Sequence, residues 1–362
     1  MSAVWGNNIK LSIFGESHGK AIGINIDGLP SGVELDLENI KMEMSRRAPG
    51  KDKISTARNE KDEFQILSGY FNNRTTGTPL CVIIPNSDQH SKDYEKMKNI
   101  VRPSHGDFPG NVKYSGYNDY RGGGHFSGRI TAPIVFAGAI AKQILKDKNI
   151  IVGSHIKSIG NINDDFFNKI DIKSEILEEL RNKKFPVIKD EKAEEMQGVI
   201  LKAKEELDSV GGTIETAVIN IPAGIGEPFF HSVESSIAHM IFSIPGVKGI
   251  EFGEGFNIAK FTASQANDEY YIKNNEVKTY TNNNGGILGG ITNGMPIIFT
   301  TAMKPTPSIG KIQNTIDIEK KKNIQIKIEG RHDPCIVPRA VPVIEGATAL
   351  VILDLLMERK SI

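Results

Sequence analysis

The stretch RITAPIVFAGAIAKQILK, residues 129–146, decides the fold class of this chain. It predicts a helix in which apolar side chains cover nearly every face up to Leu145. A helix that is apolar on all sides must be buried on all sides, because none of its faces favours water. Pro133 lies in the first turn, where its missing N–H is tolerated. We therefore expect a helix enclosed within the protein, with other elements packed around it.

A second stretch near the C-terminus has the same pattern. The segment RAVPVIEGATALVILDLLMERK, residues 339–360, again places an arginine, then a proline, then a Gly-Ala pair in a nearly apolar helix. The two segments suggest a loose internal pseudo-repeat, in which each buried helix is entered through a polar loop that carries an arginine. Two similar core helices without a common origin explain the pattern equally well.

Segments elsewhere in the chain predict strands and further helices. Apolar and polar residues alternate, as in strands, in KLSIFG (10–15), IGINIDG (22–28), EFQILSGYF (63–71), TPLCVIIP (78–85), GTIETAVINIPAG (212–224), GIEFGEGFNIAKF (249–261) and PIIFTTAM (296–303). Helices are predicted at DLENIKMEMSRR (36–47), where Asp36 is a plausible cap, at EMQGVILKAKEEL (195–207) and at SVESSIAHMIFSI (232–244). Antiparallel strand pairs mixed with buried helices favour an α+β fold over a doubly wound parallel sheet. No linker divides residues 1–362, so we expect a single domain.

Composition excludes several classes of protein. The net charge is zero, which gives no argument for nucleic-acid binding. No run approaches the roughly 18 consecutive apolar residues of a membrane span, and the N-terminus lacks the apolar core of a signal peptide. Cys81 and Cys335 form neither a disulfide framework nor a metal motif. We expect a soluble cytoplasmic protein that binds no metal.

Arginines are concentrated in a few polar segments, whereas lysines mostly form solvated runs. The arginines in stretches rich in Gly, Pro or His are Arg46, Arg47, Arg102, Arg121, Arg129, Arg331 and Arg339. The planar guanidinium group binds carboxylate and phosphate in a bidentate way that lysine cannot reproduce. This distribution suggests a polyanionic ligand. The polar segment APGKDKISTARNEKD, residues 48–62, is long enough to form a mobile flap over it.

Four glycine-rich segments hold most of the residues suited to catalysis. They are GESHG (15–19), with Ser17 and His18; RPSHGDFPG (102–110), with His105 and Asp107; YRGGGHFSGR (120–129), with His125, Ser127 and Arg129; and GRHDPC (330–335), with His332 and Asp333. The third is predicted to open a helix N-terminus, where free N–H groups and the helix dipole attract anions. NNNGGILGGITNG (282–294) and KPTPS (304–308) add exposed backbone and a lysine.

The segment GESHG also matches G-x-S-x-G, the nucleophile elbow of serine hydrolases. In that motif a helix follows the serine, but here GKAIGINIDG predicts a strand. The hydrolase order of serine, acid and histidine also disagrees with the late His332-Asp333 pair. No histidine spacing suits a metal site, and no G-x-G-x-x-G suits a Rossmann dinucleotide site.

Taken in order, FGESHG, RPSHGD, YRGGG, GGILGG, KPT and GRHDPC resemble the chorismate synthase family nearly from end to end. The resemblance implies a β-α-β sandwich with helices buried between antiparallel sheets, assembled as a homotetramer. It implies a lyase that converts 5-enolpyruvylshikimate 3-phosphate to chorismate and phosphate by anti-1,4-elimination. The family requires reduced FMN, although the reaction has no net redox change.

The same resemblance implies roles for individual residues. His18 would protonate the leaving phosphate, His105 would protonate the reduced flavin, and Asp333 would help the flavin N5 take the substrate proton, with Ser17 and Ser127 as supporting groups. The implied flavin contacts are His125, Phe126, Ser127, Pro245, Gly246, Gly289, Lys304, Pro305, Thr306, Pro307, Ser308 and Arg331. The implied anion contacts, to substrate or NADPH, are Arg47, Lys53, Arg129 and Arg339, and for Arg339 a structural role is equally plausible.

Some positions depart from the family pattern. His125 stands where many members have an arginine, Ile130 replaces a glutamate, and Lys53 replaces an arginine. Nothing resembles an added flavin-reductase module, so reduced FMN is expected from an external reductant, with NADPH as a possible source. Two other classes remain open, namely a flavoprotein that oxidises its substrate and a non-enzymatic anion-binding protein.

Overall fold

The first of two antiparallel sheets comes from the N-terminal part of the chain. The computed structural model describes residues 3–50, 54–55, 60–87, 98–328 and 333–359. The early strands are β1 (Val4–Trp5), β2 (Lys10–Gly15), β3 (Ala21–Asp27), β4 (Gln65–Ser68), β5 (Tyr70–Phe71), β6 (Arg74–Thr75) and β7 (Leu80–Pro85). The sheet has the order β1-β2-β3-β7-β4, while β5 and β6 form a separate small hairpin.

The second sheet uses strands from the middle of the chain. The later strands are β8 (Ile151–Ile159), β9 (Ile162–Asn163), β10 (Gly212–Ile219), β11 (Val247–Phe252), β12 (Tyr270–Lys273), β13 (Glu276–Thr279), β14 (Ile287–Leu288), β15 (Ile291–Thr292), β16 (Ile297–Met303), β17 (Ile312–Asp317) and β18 (Lys322–Lys327). The order of the sheet is β11-β16-β10-β8-β9, and the remaining strands pair as the hairpins β12-β13, β14-β15 and β17-β18. All pairs in both sheets are antiparallel.

Two apolar helices lie between the two sheets. The helices are α1 (Leu37–Arg47), α2 (Asp107–Lys113), α3 (Ala132–Lys146), α4 (Ser174–Asn182), α5 (Asp190–Glu205), α6 (Val233–Phe242), α7 (Ala263–Ala266) and α8 (Val337–Arg359). Helix α3 contacts β3 and β7 of the first sheet, β8 of the second, and α8 beside it. Helix α8 in turn packs on β8 and β10. The predicted α+β fold, a β-α-β sandwich with buried apolar helices, is confirmed.

The two buried helices cross at their glycines. Gly138 of α3 lies directly against Gly346 of α8, and a Cβ built on Gly138 would overlap the Cα of Gly346. These glycines open the Gly-Ala pairs that the two helical segments share in the sequence. Close approach of two backbones explains why both helices carry glycine at this point, whether or not the helices have a common origin.

Replacing Gly138 by alanine should destabilise the protein by about 1–3 kcal/mol, because the added methyl group has no space at the crossing and overpacking has that cost. Gly346→Ala is the matched control. A Cβ there would lie 3.4 Å from the Cα of Gly138, an ordinary van der Waals distance. Alanine is the better helix former, so this change should be neutral or stabilising by up to about 1 kcal/mol. Denaturant unfolding of both variants checks the prediction, and equal effects would contradict it.

A buried cluster of charges ties helices α1, α3 and α8 together. Glu345 of α8 is 1% exposed and accepts hydrogen bonds from Arg46 of α1 and Lys142 of α3. Glu43, also buried, pairs with Arg46, Lys142 and Arg181. Arg46 and Arg47 therefore belong to helix α1, which ends just before the predicted flap of residues 48–62. Within that predicted flap, residues 51–53 and 56–59 lie outside the described residues.

Most predicted elements are present, with several corrections. The predicted strand 249–261 ends at Phe252, because Gly253 and Gly255 have φ values of +56° and +53° and turn the chain into a 3₁₀ turn. The predicted helix from 129 begins at Ala132, after a separate 3₁₀ turn over Gly128–Thr131. Helix α2 was not predicted. Its sequence contains Pro109 and Gly110, which resemble helix breakers, but a proline is tolerated in the first turn.

One helix in the described part of the chain is long and apolar enough to cross a membrane. The segment Val337–Glu358 has a mean hydropathy of 1.9, but 89% of its most apolar window is buried inside the protein. It is the core helix α8. A buried core helix passes the same test of length and composition as a membrane span, so this finding is weak evidence for a membrane.

Candidate active site

A cavity of about 870 Å³ collects most of the predicted site residues. It opens between the N-terminal strands, the loops before α3, the end of α6 with β11, the segment after β16, and the start of α8. The predicted residues that line it are Arg47, His105, His125, Phe126, Ser127, Arg129, Pro245, Gly246, Lys304, Pro305, Thr306, Pro307, Asp333 and Arg339. Folding thus brings together residues that are far apart in the sequence, such as Arg47 and Arg339.

The GESHG loop lies behind one wall of this cavity. Ser17 is fully buried, and its hydroxyl donates to the carbonyl of Gly122 at 3.1 Å. The ring of His18, which is 6% exposed, packs against Gly122, where a Cβ would collide with it. Because Gly122 itself lines the cavity, His18 is separated from that space by one glycine.

The elements on either side of the GESHG loop show whether it can be a nucleophile elbow. β2 ends at Gly15 and β3 begins at Ala21, and the two pair antiparallel. A strand, rather than a helix, therefore follows the serine. This geometry confirms the prediction that G-x-S-x-G is not a hydrolase elbow here.

The loop that carries His105 is docked on the KPTPS segment. His105 Nε2 lies 2.7 Å from Ser308 Oγ, and Lys304 Nζ donates to the carbonyl of Ser104 at 2.8 Å. Arg102 is held by a bidentate pair with Asp107, with both distances 2.7 Å. Two segments that are about 200 positions apart in the sequence are thereby fixed against each other at the cavity wall.

The glycine triplet shapes the wall between these two loops. Gly122, Gly123 and Gly124 have φ values of +60°, +87° and +53°, a conformation that favours glycine. The turn they form aims His125 Nδ1 at the carbonyl of Gly15, 2.8 Å away, and leaves Phe126 41% exposed. Because a 3₁₀ turn intervenes, the triplet does not run directly into helix α3, which corrects the prediction of a continuous loop-to-helix anion site.

Two of the predicted anion-binding arginines are paired with acids inside the protein. Asp62 accepts hydrogen bonds from both Arg47 and Arg129, and Glu60 lies 2.7 Å from Arg129 Nε. All four side chains are at most 5% exposed. Burial alone would raise the pKa of Asp62, but the two guanidinium groups outweigh it and lower that pKa. Burial lowers the pKa of Arg129, and the charge of Arg47 acts in the same direction.

Asn86 connects this ionic network to the GESHG loop. Its Oδ1 accepts from Arg129 Nε at 3.0 Å, while its Nδ2 donates to the carbonyls of Glu16 and Gly19 at 3.0 and 2.9 Å. The position of the loop that bears His18 is therefore linked to the position of Arg129.

Arg339, for which the sequence left a ligand contact and a structural role equally plausible, makes two contacts within the protein. Its Nη1 pairs with Asp333, and its Nε donates to the carbonyl of Arg47 at 2.9 Å. It thus joins the start of α8 to the end of α1 and holds Asp333 at the cavity.

Not every predicted residue lies on the cavity wall. Ser17, His18 and Ser308 lie just behind it, through the contacts given above. Gly289, at the turn between β14 and β15, does not line it in the single chain, and its flavin contact stays a prediction. Lys53, Arg331 and His332 lie outside the described residues.

Several lining residues were not predicted from sequence. They are Glu60, His239 and Lys248, together with Asp62 and Asn86 behind the wall. Burial lowers the pKa of Lys304, and the charge of Lys248, which lines the same cavity, lowers it further. One feature of the sequence could have drawn attention to Glu60 and Asp62, namely that they are two acids in the otherwise basic segment ARNEKD. Nothing local distinguishes Lys248 or His239.

The described part of the chain contains no group of three or more His, Cys, Asp or Glu side chains that could hold a metal ion. Cys81 and Cys335 are free, and burial raises the pKa of the Cys335 thiol to about 12, which makes it unreactive near neutral pH.

Comparisons with known proteins agree on one family. A family model described as chorismate synthase matches residues 9–357. Chorismate synthase of Pyrococcus abyssi is 47% identical over 356 residues, and that of Thermococcus kodakarensis is 46% identical over 357 residues. Each alignment covers 98% of this chain and 98% of the relative. A solved structure titled "Crystal Structure of Chorismate Synthase" superposes with a TM-score of 0.77 at 30% identity, covering 98% of this chain and 93% of that one.

Proposed function

The chain belongs to the chorismate synthase family, and from that premise we propose that its cavity holds reduced FMN and 5-enolpyruvylshikimate 3-phosphate and catalyses an anti-1,4-elimination. As a member it is a chorismate-forming lyase of the shikimate pathway, which serves aromatic amino-acid biosynthesis. The convergence of His105, Arg129 and Asp333 on one cavity, with His18 one glycine behind it, is the observation that carries the proposal.

The reaction removes phosphate and a proton from the substrate. The C–H bond breaks and its electrons form a new ring double bond, the double bond already in the ring shifts by one position, and the C–O bond to the phosphate breaks, so no net oxidant or reductant is consumed. Phosphate is a better leaving group when protonated, and histidine can supply a proton near neutral pH. His18 donates that proton, with Ser17 fixing its loop to the glycine triplet.

The residues at the cavity fit a reduced flavin. The volume of the cavity is within the range of about 300–1,000 Å³ that is typical of cavities for small ligands. Phe126 offers a half-exposed ring, and residues 245–246 and 304–307 offer backbone and a lysine. These groups, with His125 and Ser127, would hold the flavin. A reduced FMN bound there would supply transient electron density to the substrate.

The other site residues act on protons and charge. His105, oriented by Ser308, holds a proton beside the flavin. Asp333, held by Arg339, stands as the carboxylate that helps the substrate proton leave. Lys304 and Lys248 are cationic groups at the same wall and attract phosphate or carboxylate.

The assembly and the setting are also part of the proposal. Phe229, Phe230 and Phe256 are 85–90% exposed. Exposed aromatic side chains favour self-association, and the family resemblance implies that the assembly is a homotetramer. The protein works in the cytoplasm and receives reduced FMN from an external reductant, with NADPH as the electron source.

An anaerobic assay tests the proposal. Purified protein with reduced FMN and 5-enolpyruvylshikimate 3-phosphate should release chorismate and phosphate in equal amounts, with many turnovers per flavin. Consumption of one reductant per turnover would instead indicate a flavoprotein that oxidises its substrate. If phosphate is not released although the protein is folded, the proposal is wrong.

A further inference from the structure

Arg129 is predicted to contact a ligand anion, yet its guanidinium group is already occupied. Nε lies 2.7 Å from Glu60 Oε2 and 3.0 Å from Asn86 Oδ1, Nη1 pairs with Asp62, and Nη2 is 3.3 Å from the carbonyl of Pro85. An anion that enters the cavity can reach Arg129 in full only by displacing one of these acceptors.

The two carboxylates in this network differ in position. Asp62 accepts from both Arg47 and Arg129, lies behind the cavity wall, and compensates two like charges that would otherwise repel each other. Glu60 has an ion pair to Arg129, at Nε, and lines the cavity beside Arg47 and Arg129. Removing Asp62 would disturb both arginines, whereas moving Glu60 would take away one of the two carboxylates that pair with Arg129.

We propose that Glu60 is an internal counter-ion that occupies the ligand's place on Arg129, and that a carboxylate or phosphate group of the bound ligand replaces it. Asp62 is then the fixed anchor that keeps Arg47 and Arg129 together as an anion receptor. The inference rests on the proposed function in that the ligand is polyanionic. Its consequence is that two acids two residues apart have opposite effects on anion affinity.

The direction in which each substitution changes the anion affinity follows from the charges. Glu60→Gln removes a competitor and leaves the positive charge of Arg129 without that counter-charge, so anions should bind more tightly. Asp62→Asn removes the anchor, so the two guanidinium groups should separate and anions should bind more weakly. A nearby like or unlike charge in a partly desolvated site changes binding far more than the same charge in water.

Calorimetric titration of the folded, flavin-free protein with inorganic phosphate, and separately with malonate, measures these effects. Glu60→Gln should lower the Kd by about tenfold, and Asp62→Asn should raise it by about tenfold. If the ligand group is a phosphate the larger shift appears with phosphate, and if it is a carboxylate the larger shift appears with malonate. In turnover, Glu60→Gln should lower KM.

Glu63→Gln is the matched control. It removes the same charge from the same segment, but Glu63 is 80% exposed and pairs with Lys61 at a distance of 4.0 Å. Its Kd should stay within about twofold of wild type.

If Glu60→Gln binds anions as weakly as wild type or more weakly, with an unchanged melting temperature, Glu60 is only structural and the inference is wrong. If that variant folds poorly, Glu60→Asp serves as the second test. It keeps the charge but is one methylene shorter, so the carboxylate pairs less well with Arg129 and the Kd for anions should still fall. An unchanged Kd in Glu60→Asp also overturns the inference. The titrations need neither flavin nor turnover. Absence of chorismate formation would therefore refute the proposed function while these opposite shifts are judged separately.

Discussion

Replacing His18 by alanine should lower kcat for phosphate release by about 100-fold or more, the range that general acids contribute. His18 is 6% exposed and packs against Gly122, a residue of the cavity wall, so its ring is held close to the place of the leaving phosphate. The backbone hydrogen bond of Ser17 to Gly124 remains in the variant and keeps the loop in place. Substrate affinity should therefore change little, and the loss should appear in kcat.

The pH dependence of kcat provides a second readout for His18. A general acid acts only while protonated, so wild-type kcat should decline as the pH is raised. The variant should lose the part of that decline that comes from His18 and keep the part that comes from His105. His231→Ala is the control, because His231 is an exposed histidine that does not line the cavity. Wild-type kcat in His18→Ala, measured on protein with a normal melting temperature, would remove His18 from the proton-transfer assignment.

His105→Ala should also lower kcat by about 100-fold, with flavin affinity changed by less than about tenfold. The hydrogen bond of His105 to Ser308, together with that of Lys304 to Ser104, docks the two loops on each other. The lysine contact survives in the variant, so the flavin site should persist while the proton held at His105 is lost. Stopped-flow turnover and flavin titration separate the two effects.

Ser308→Ala distinguishes proton transfer from positioning at this site. It leaves the imidazole in place and removes one hydrogen bond, whose net value is about 0.5–1.5 kcal/mol. The expected loss in kcat is therefore about tenfold or less. If Ser308→Ala is as damaging as His105→Ala, the histidine acts mainly through that hydrogen bond and its assignment to a proton is wrong.

The fold class could be predicted because burial leaves a direct trace in composition. Phe136 and Leu145 lie on opposite faces of α3 and are both fully buried, as an all-round apolar helix requires. Alternation likewise predicted β2, β3, β7, β10 and β16. The order of the strands was beyond sequence reasoning, since β7 inserts between β3 and β4 through contacts that local periodicity does not encode.

Backbone exceptions explain most of the errors in element boundaries. The strand pattern at 249–261 continues past Phe252, but two glycines with positive φ turn the chain there. The hydrophobic pattern records which side chains prefer burial, and it says nothing about where a glycine changes the backbone direction. Helix α2 was missed for the opposite reason, because Pro109 is a breaker only when it lies beyond the first turn.

The sequence by itself determined that two apolar helices are buried between antiparallel strands, and that histidines, arginines and an aspartate lie in glycine-rich loops. Only the tertiary structure decided which charges meet. Arg129 pairs with Asp62, which is 67 positions away, at the cavity. Arg46 pairs with Glu345, which is 299 positions away, among the buried helices rather than at the cavity. The physical reason is that ion pairing depends on distance and on desolvation, and both arise only when distant segments pack together.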